Sequence, residues 1–297
     1  MFYKNTSLLL LSLLASQALA MGLHVEPAQK QCGETLEITS QAISSMASRL
    51  PGSHIASGKQ DILSAWLTSP TVRYPHSALG SATHAGSVSV QLTSNKILVY
   101  ELPINRVFED LTPRLLDLDK DGKDELILIE SDALRGSAVV VLGIRDGKLV
   151  ELARSAPTGS TFRWLNIVGA ADFDGDGKLD LAAVLTPHIG GTLKLYHYRP
   201  PHLVAYASAM DVSNHLMGSA EQQLSVIVQQ PKLRPTVIVP DMSLKALHAL
   251  RWQANGQWME LSDVKALPAK VERLTPIKGG ACAQLSDQTW WRITLMQ

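Results

Sequence analysis

Hydrophobic residues along this chain occur in short runs separated by turn residues, and few stretches repeat them every three to four positions. The runs ELILI (125–129), LAAVL (181–185) and TVIV (236–239) consist almost entirely of aliphatic side chains. Such runs, bounded by turn pairs such as Asn255-Gly256, are typical of β-strands. The pattern therefore predicts an all-β protein.

Two acidic segments share one pattern and begin 55 residues apart. DLDKDGKDE begins at Asp117 and DFDGDGKLD begins at Asp172, and each leads into an apolar run. In both segments carboxylates occupy positions 1, 3, 5 and 9, and glycine occupies position 6. A third segment, from Gln229, repeats the strand pattern but lacks the carboxylates. Repetition at a fixed period indicates a repeat architecture.

The chemistry of the two acidic segments is that of a calcium-binding loop. Ca²⁺ takes about six to eight oxygen ligands, which the alternate side chains of a tightly curled loop can supply. The predicted ligands are carboxylates and one backbone carbonyl per loop, from Asp117, Asp119, Asp121, Lys123 and Glu125 in the first loop and from Asp172, Asp174, Asp176, Lys178 and Asp180 in the second. We expect two Ca²⁺ ions, and the alternative is two acidic surface turns without an ion.

The spacing of these loops is shared, in its first half, by the EF-hand. An EF-hand also needs a glutamate at position 12 and a helix on each side. Position 12 is Leu128 in the first loop and Ala183 in the second, and the flanking runs are strand-like. An EF-hand is therefore not expected. In the third segment Gln229 to Arg234 replace the acidic residues, so we expect no ion there.

The repeated strands predict the architecture. Four or five units of about 55 residues fill the chain after its first segment. Units of this kind bury both faces when they are arranged radially, which leaves few exposed edges. We expect a β-propeller of about five blades, and the alternatives are a β-solenoid or packed β-sandwiches. The two cysteines lie near the two chain ends, so we expect a Cys32–Cys282 disulfide that closes them, rather than reactive thiols or a metal pair.

The N-terminal residues have the composition of a signal peptide. Residues 1–20 combine a basic start, a short apolar core and Ala18-Leu19-Ala20, which predicts cleavage after Ala20 and a periplasmic or secreted protein. Residues 21–50 form an N-terminal segment with a candidate helix at 34–49, and residues 51–297 form the repeat domain. With 27 basic and 27 acidic residues, the chain has no net charge that would favour nucleic acid. No membrane span is expected after cleavage.

The sequence around the second loop resembles a known repeat. VGAADFDGDGKLDLAAV (168–184) is similar to the FG-GAP or VCBS repeat of integrin α-subunit propellers and of exported bacterial proteins. Further segments resemble a group of bacterial VCBS repeat-containing proteins, at residues 73–76, 107–110, 113–115, 163–166, 187–191 and 213–215. The resemblance implies a propeller with calcium in the two intact loops, and it implies no known reaction.

Three histidines stand shortly before glycines, in PHSALG, TPHIGG and NHLMG. If the repeats superpose, these residues would surround one end of the propeller axis together with arginines that precede the loops. The candidate ligand funnel consists of His76, Arg114, Arg163, His188 and His215. The alternative is structural, with the imidazoles capping turns and the arginines pairing with carboxylates.

No nucleophile elbow, phosphate-binding loop, dinucleotide fingerprint or zincin motif is present in the sequence. A non-enzymatic binding or scaffold module with structural Ca²⁺ is therefore favoured, with an unidentified protein or carbohydrate as partner. One alternative is a hydrolase or lyase with its site in the funnel. Another is a surface adhesion module, which rests on the integrin likeness alone.

Overall fold

The computed structural model describes residues 22–28, 32, 48–261 and 264–296. The secondary-structure elements in this part of the chain are all β-strands, so the predicted all-β class is confirmed for the described residues. The predicted signal peptide and residues 34–47 of the candidate helix lie outside them. The last two residues of that candidate helix are described, and they lie in a turn and a β-bridge. Among the described residues, no helix has the length and apolar character needed to cross a bilayer.

The described residues form 22 strands. The first eleven are β1 (Gly22–Ala28), β2 (Ile55–Ser57), β3 (Ile62–Thr71), β4 (His84–Leu92), β5 (Ile97–Glu101), β6 (Arg106–Phe108), β7 (Arg114–Leu116), β8 (Glu125–Asp132), β9 (Gly136–Arg145), β10 (Lys148–Arg154) and β11 (Leu165–Ala171). The others are β12 (Asp180–Leu185), β13 (Thr192–Arg199), β14 (His202–Met210), β15 (Val226–Val228), β16 (Thr236–Pro240), β17 (Ala246–Trp252), β18 (Trp258–Glu260), β19 (Lys265–Ala266), β20 (Val271–Ile277), β21 (Gly280–Leu285) and β22 (Trp290–Met296).

Most of these strands fall into five antiparallel groups that follow one another along the chain. The groups are β2–β5, β7–β10, β11–β14, β15–β18, and β20–β22 with β1. The short strand β6 pairs with both β4 and β8, and β10 meets β14 in a single parallel pair, so the first three groups form one 13-stranded sheet. The fourth and fifth groups are separate sheets. Because these sheets do not close on one another, strand pairing does not establish a propeller.

The chain ends meet in the fifth group. β1 pairs with β22 along its whole length, from Gly22 opposite Met296 to Ala28 opposite Trp290. Cys32 and Cys282 form a disulfide with their Cα atoms 5.6 Å apart, which confirms the predicted pairing. The bond closes a loop of 250 residues, for which the loss of unfolded-chain entropy stabilises the fold by up to about 5 kcal/mol.

The central strands bury both of their faces, against different neighbours. In β16, Val237 and Val239 belong to a core shared with β12 and β13, whereas Ile238 on the opposite face belongs to a core shared with β20–β22 and β1. Successive side chains of a strand point to opposite faces, so a strand buried on both sides is apolar at every position. This explains why the runs LAAVL and TVIV are continuous rather than alternating.

Candidate metal centre

The two acidic loops occupy equivalent places in their groups. The first loop, residues 117–125, joins β7 to β8, and the second loop, residues 172–180, joins β11 to β12. In each, the position-9 carboxylate is the first residue of the second strand, so a rigid element fixes it. Glu125 is 1% exposed and Asp180 is 2% exposed, whereas the residues at position 5 are on the surface.

Each loop curls around its first carboxylate. Gly122 N donates to Asp117 Oδ2 at 3.0 Å, and Gly177 N donates to Asp172 Oδ2 at 2.9 Å. The glycines have φ values of +83° and +89°, in the region that favours glycine, which explains why both loops have glycine at position 6. The chain reversal therefore holds the position-1 side chain beneath the turn.

The remaining carboxylates are held by backbone amides in the same way in both loops. Leu118 N donates to Glu125 Oε2 at 2.8 Å, and Phe173 N donates to Asp180 Oδ2 at 3.2 Å. The position-3 and position-5 carboxylates accept from the amides two residues later, at 2.9 to 3.3 Å, in the pairs Asp119–Asp121, Asp121–Lys123, Asp174–Asp176 and Asp176–Lys178. The two loops therefore share one backbone conformation as well as one sequence pattern.

One buried carboxylate oxygen in each loop has no partner among the described groups. Asp117 Oδ1 and Asp172 Oδ1 are buried and accept no hydrogen bond from any described group. A buried carboxylate oxygen without a partner is costly, and native proteins rarely retain one. Since both oxygens belong to position 1 of the loop, the donor set fits a bound cation.

The ligand atoms also converge. Asp117, Asp119 and Glu125 each place one oxygen within 4.8 Å of the other two, and Asp172, Asp174 and Asp176 do the same. These clusters contain only carboxylate oxygens, the donors that hard cations prefer. Both loops could hold a metal ion.

Burial and like charge act together on the position-9 carboxyls. Burial raises the pKa of Glu125 to about 7, and the charges of Asp119 and Asp121 add to the increase. Burial also raises the pKa of Asp180 to about 6, with a further contribution from Asp174. A cation among these groups would offset both effects.

The first loop contacts its neighbours on both sides. Lys120 Nζ donates to the carbonyl oxygen of Gly177 in the second loop, at 2.5 Å. Asp124 accepts hydrogen bonds from Lys59 N and Gln60 N in the turn between β2 and β3, at 3.0 and 2.7 Å. The loops of the first three groups therefore lie side by side.

The segment from Gln229 holds a side-chain cation where the other loops hold carboxylates. Arg251, which is 3% exposed, donates to Thr236 Oγ1 at 3.0 Å and to Gln230 Oε1 at 2.8 Å. Thr236 begins β16 as Glu125 begins β8 and Asp180 begins β12, and Arg251 is its cross-strand partner. The absence of an ion from this segment stays a prediction.

A histidine in the third group lies opposite position 9 of the second loop, as Arg251 lies opposite Thr236 in the fourth group. His197 is the cross-strand partner of Asp180. Its Nε2 lies 3.1 Å from Asp174 Oδ2 and 3.9 Å from Asp180 Oδ1. His197 is not among the ligands that the sequence predicts, because its position depends on the register between β12 and β13. The only local signal is that it lies in β13, the second strand after the loop.

Two of the candidate funnel histidines meet. His188 Nε2 lies 2.9 Å from His215 Nδ1, and His215 Nε2 lies 3.0 Å from the carbonyl oxygen of Ser219. Trp164 stacks on His188 with its ring centre 5.9 Å away and contacts His215 edge-on. Burial lowers the pKa of His188 to about 4 and that of His215 to about 3. Both imidazoles are therefore neutral at pH 7.

The other funnel candidates have separate partners. His76 Nδ1 lies 2.6 Å from Glu109 Oε1, and Trp164 Nε1 donates to the Glu109 carbonyl oxygen at 3.0 Å. Arg114 donates to Asp110 Oδ2 at 2.8 Å. Arg163 contributes its carbonyl oxygen, which accepts hydrogen bonds from Ser137 N and Thr158 Oγ1. Glu109 thus connects His76 to the Trp164 cluster, and Arg114 pairs with a carboxylate.

A cavity of about 360 Å³ lies near these residues. Its walls include Gly80, Thr83 and His84 from the first group and Gly218 from the segment before β15. The five candidate funnel residues are not among its lining residues. The cavity nevertheless adjoins two of them, because its lining includes Asp110, the partner of Arg114, and His84, whose Nε2 lies 2.9 Å from the His76 carbonyl oxygen.

Comparison with known families identifies the repeat. Residues 117–183 match the FG-GAP-like repeat. The matched segment begins with the first acidic loop and ends within β12, so it contains both loops. No curated protein matches the chain.

Proposed function

We propose that this protein is an exported β-propeller that binds two structural Ca²⁺ ions and acts as a non-enzymatic binding or scaffold module. The observation that carries the proposal is the equivalence of the two loops. Each belongs to the matched FG-GAP-like repeat, and each has a buried position-1 oxygen without a described partner. Two unrelated acidic turns would have no reason to share these features.

The arrangement of the strands supports a ring of five blades. The five groups are consecutive, and each of the first four shares an apolar core with the next group along the chain. The N-terminal strand β1 completes the group that is otherwise built from the C-terminal strands. Such a strand exchange joins the two ends of a radial architecture and leaves fewer free edges.

In this proposal calcium has a structural role, in which it stabilises the two loops, and no catalytic role. The ion would be held by the carboxylates of the first loop, Asp117 to Glu125, and of the second, Asp172 to Asp180, and would supply positive charge among buried like charges. Extracellular calcium modules have Kd values of about 10⁻⁴ to 10⁻³ M. Ions that bind only the folded state stabilise it in proportion to RT ln(1 + [Ca²⁺]/Kd).

The export proposal rests on two features of the chain. The first twenty residues have the composition of a leader, and the disulfide between Cys32 and Cys282 is of a kind that persists in oxidising compartments. If the proposal is right, the protein recovered after expression with its leader begins at Met21. N-terminal sequencing of the purified protein checks this before any binding experiment.

The deciding experiment is a Ca²⁺ titration by isothermal calorimetry on that purified protein. We expect two bound ions in the wild type and one in each of Asp119→Ala and Asp174→Ala, because each variant removes a ligand from one loop only. Glu101→Ala, which changes an exposed carboxylate in β5, should bind two ions and serves as the control. Binding that is absent in the wild type, or unaffected by both loop variants, contradicts the proposal.

A further inference from the structure

The second loop differs from the first in having a nitrogen donor. One ligand atom from each of Asp174, Asp180 and His197 lies within 4.8 Å of the other two. His197 Nε2 lies 3.1 Å from an oxygen of Asp174 and 3.9 Å from an oxygen of Asp180. A tetrahedral ion with ligands at about 2 Å holds neighbouring ligand atoms about 3.3 Å apart. The three side chains are therefore close to the spacing that one small ion requires.

A tyrosine orients two of the three side chains. The Tyr206 ring stacks on the His197 ring with centres 4.0 Å apart, and the Tyr206 hydroxyl donates to Asp180 Oδ2 at 2.8 Å. Phe173 N donates to the same oxygen, so Oδ2 is held from two directions and Oδ1 faces His197. Such outer contacts are typical of metal sites, where they fix the orientation of the ligands.

The equivalent positions in the other groups show that this donor is specific to the second loop. In the first loop, Gly143 lies beside Glu125 and has no side chain to offer, with Glu125 Oε1 3.9 Å from where a Cβ atom would stand. In the fourth group, Arg251 occupies the cross-strand position and supplies its own positive charge to Thr236. Among the three positions, only His197 provides a lone pair to an ion.

We propose that Asp174, Asp180 and His197 form a binding site for a divalent transition-metal ion. Zn²⁺ binds imidazole nitrogen together with carboxylate oxygen, whereas Ca²⁺ and Mg²⁺ take oxygen ligands. A site with one nitrogen and two oxygens from the protein leaves room for water as a further ligand. The site shares Asp174 and Asp180 with the Ca²⁺ site of the proposed function, so the two ions would compete for the second loop, but the inference does not require that Ca²⁺ bind there.

The competing role for His197 is that of a hydrogen-bond donor to Asp174. The substitution His197→Gln separates the two roles, because the glutamine amide can still donate a hydrogen bond but lacks the imidazole nitrogen. His248→Gln is a matched control. His248 also lies 2.9 Å from a carboxylate, that of Glu260, but belongs to no cluster of three ligand atoms within the described residues.

The test is a Zn²⁺ titration by calorimetry on the full protein without calcium. We expect one Zn²⁺ in the wild type and in His248→Gln, and an affinity at least about tenfold lower in His197→Gln, since altering even an outer contact of a metal site has an effect of this size. Tyr206→Phe keeps the ring but loses the hydroxyl that orients Asp180, and it should also weaken Zn²⁺ binding. Circular dichroism checks that each variant is folded. If His197→Gln does not fold, the Zn²⁺ affinity of Tyr206→Phe tests the inference instead.

The outcomes distinguish this inference from the proposed function. Equal Zn²⁺ affinity in the wild type and the folded variants overturns the inference, and two Ca²⁺ ions in the same samples would leave the proposed function intact. His197-dependent Zn²⁺ binding without any Ca²⁺ binding would support the inference and overturn the calcium proposal. Zn²⁺ binding that His248→Gln weakens and His197→Gln does not would place the ion elsewhere and also overturn the inference.

Discussion

At the scale of single residues, the buried oxygens Asp117 Oδ1 and Asp172 Oδ1 distinguish the loops from ordinary acidic turns. In a surface turn, water satisfies every carboxylate oxygen, and burial of one without a partner has no compensation. Here the backbone N–H of the glycine at position 6 donates to Oδ2 of each carboxylate, so only Oδ1 is left without a described partner. A metal cation, which accepts an electron pair, is the simplest partner for this oxygen.

The buried histidines predict how stability depends on pH. The pKa of His188 is lowered to about 4 and that of His215 to about 3 by burial, from an ordinary value of about 6.5. The unfolded chain therefore binds protons on these rings below about pH 6.5, while the folded protein leaves them neutral down to about pH 4. The contribution of these two rings to the free energy of unfolding is fully present above about pH 6.5 and is lost as the pH falls from there toward 4. The raised pKa values of Glu125 and Asp180 act in the opposite direction, so the histidine contribution is measured as the difference between the wild type and a histidine variant.

Urea denaturation between pH 7.5 and 4.5, with a chelator present, measures this dependence. In His215→Gln one of the two rings is removed, so the decrease between pH 6.5 and 4.5 should be smaller than in the wild type. His202→Gln, which changes an exposed histidine in β14, should keep the wild-type dependence. Equal pH dependence in His215→Gln and the wild type would show that the buried pair does not control it.

At the scale of elements, strand register decides which side chains reach a loop. Position 9 of each repeat begins a strand, and the residue opposite it on the next strand approaches the loop from the side. That residue is His197 in the third group and Arg251 in the fourth. One hairpin geometry thus places an imidazole ring beside one loop and a guanidinium charge at the equivalent position of another repeat.

Arg251 is expected to stabilise its own repeat without calcium. Arg251→Ala leaves the buried groups of Thr236 and Gln230 without this donor, which should cost about 1–3 kcal/mol of the free energy of unfolding. Urea denaturation measures the loss. The control is Arg145→Ala, because Arg145 is exposed and its one described hydrogen bond is to the carbonyl oxygen of its neighbour Ile144. Equal stability of Arg251→Ala and the wild type would contradict this role.

Strands with continuous or alternating apolar residues are predictable from the sequence, whereas a strand whose apolar run is interrupted by buried hydroxyl groups is harder to recognise. ELILI and TVIV lie in β8 and β16 as predicted. β3 was not predicted, because Ser64 and Thr68 interrupt its run. Both are buried; Thr68 Oγ1 lies 2.8 Å from Ser87 Oγ on the neighbouring strand, whereas the Ser64 hydroxyl has no hydrogen-bond partner among the described groups. A hydroxyl group satisfied across a strand pair is compatible with the core, but its partner is invisible in the local sequence.

At the scale of the whole molecule, the last group is completed where the two chain ends meet. β1 contains Glu26 and Pro27 and has a weak strand pattern of its own, yet it pairs with β22 along its full length. Cys32 follows this strand and is bonded to Cys282 in β21. The covalent bond and the strand pairing therefore hold the same two parts of the chain together.

Loss of the disulfide should weaken the whole fold. In the Cys32→Ser, Cys282→Ser double variant the unfolded chain regains its freedom, and we expect the free energy of unfolding to fall by about 2–5 kcal/mol. Urea denaturation of the oxidised wild type and of the double variant measures this, and addition of reductant should destabilise the wild type alone. A double variant as stable as the oxidised wild type would contradict the expectation.

The sequence alone determined the features that depend on neighbouring residues. The all-β class follows from apolar runs and turn pairs, and the carboxylates of each acidic loop, from Asp117 to Glu125 and from Asp172 to Asp180, lie within nine consecutive residues. A loop this short places its carboxylates by backbone conformation, which glycine at position 6 permits. The disulfide was predictable because the chain has only two cysteines.

Only the tertiary structure decided what approaches those loops from outside. His197 reaches the second loop through the register of β12 and β13, and Arg251 reaches Thr236 through the register of β16 and β17. The pairing of His188 with His215 and the union of β1 with β22 depend on contacts between distant segments. Such contacts follow from the packing of the whole chain, because side-chain burial and strand register are properties of the fold and are not encoded by any local pattern.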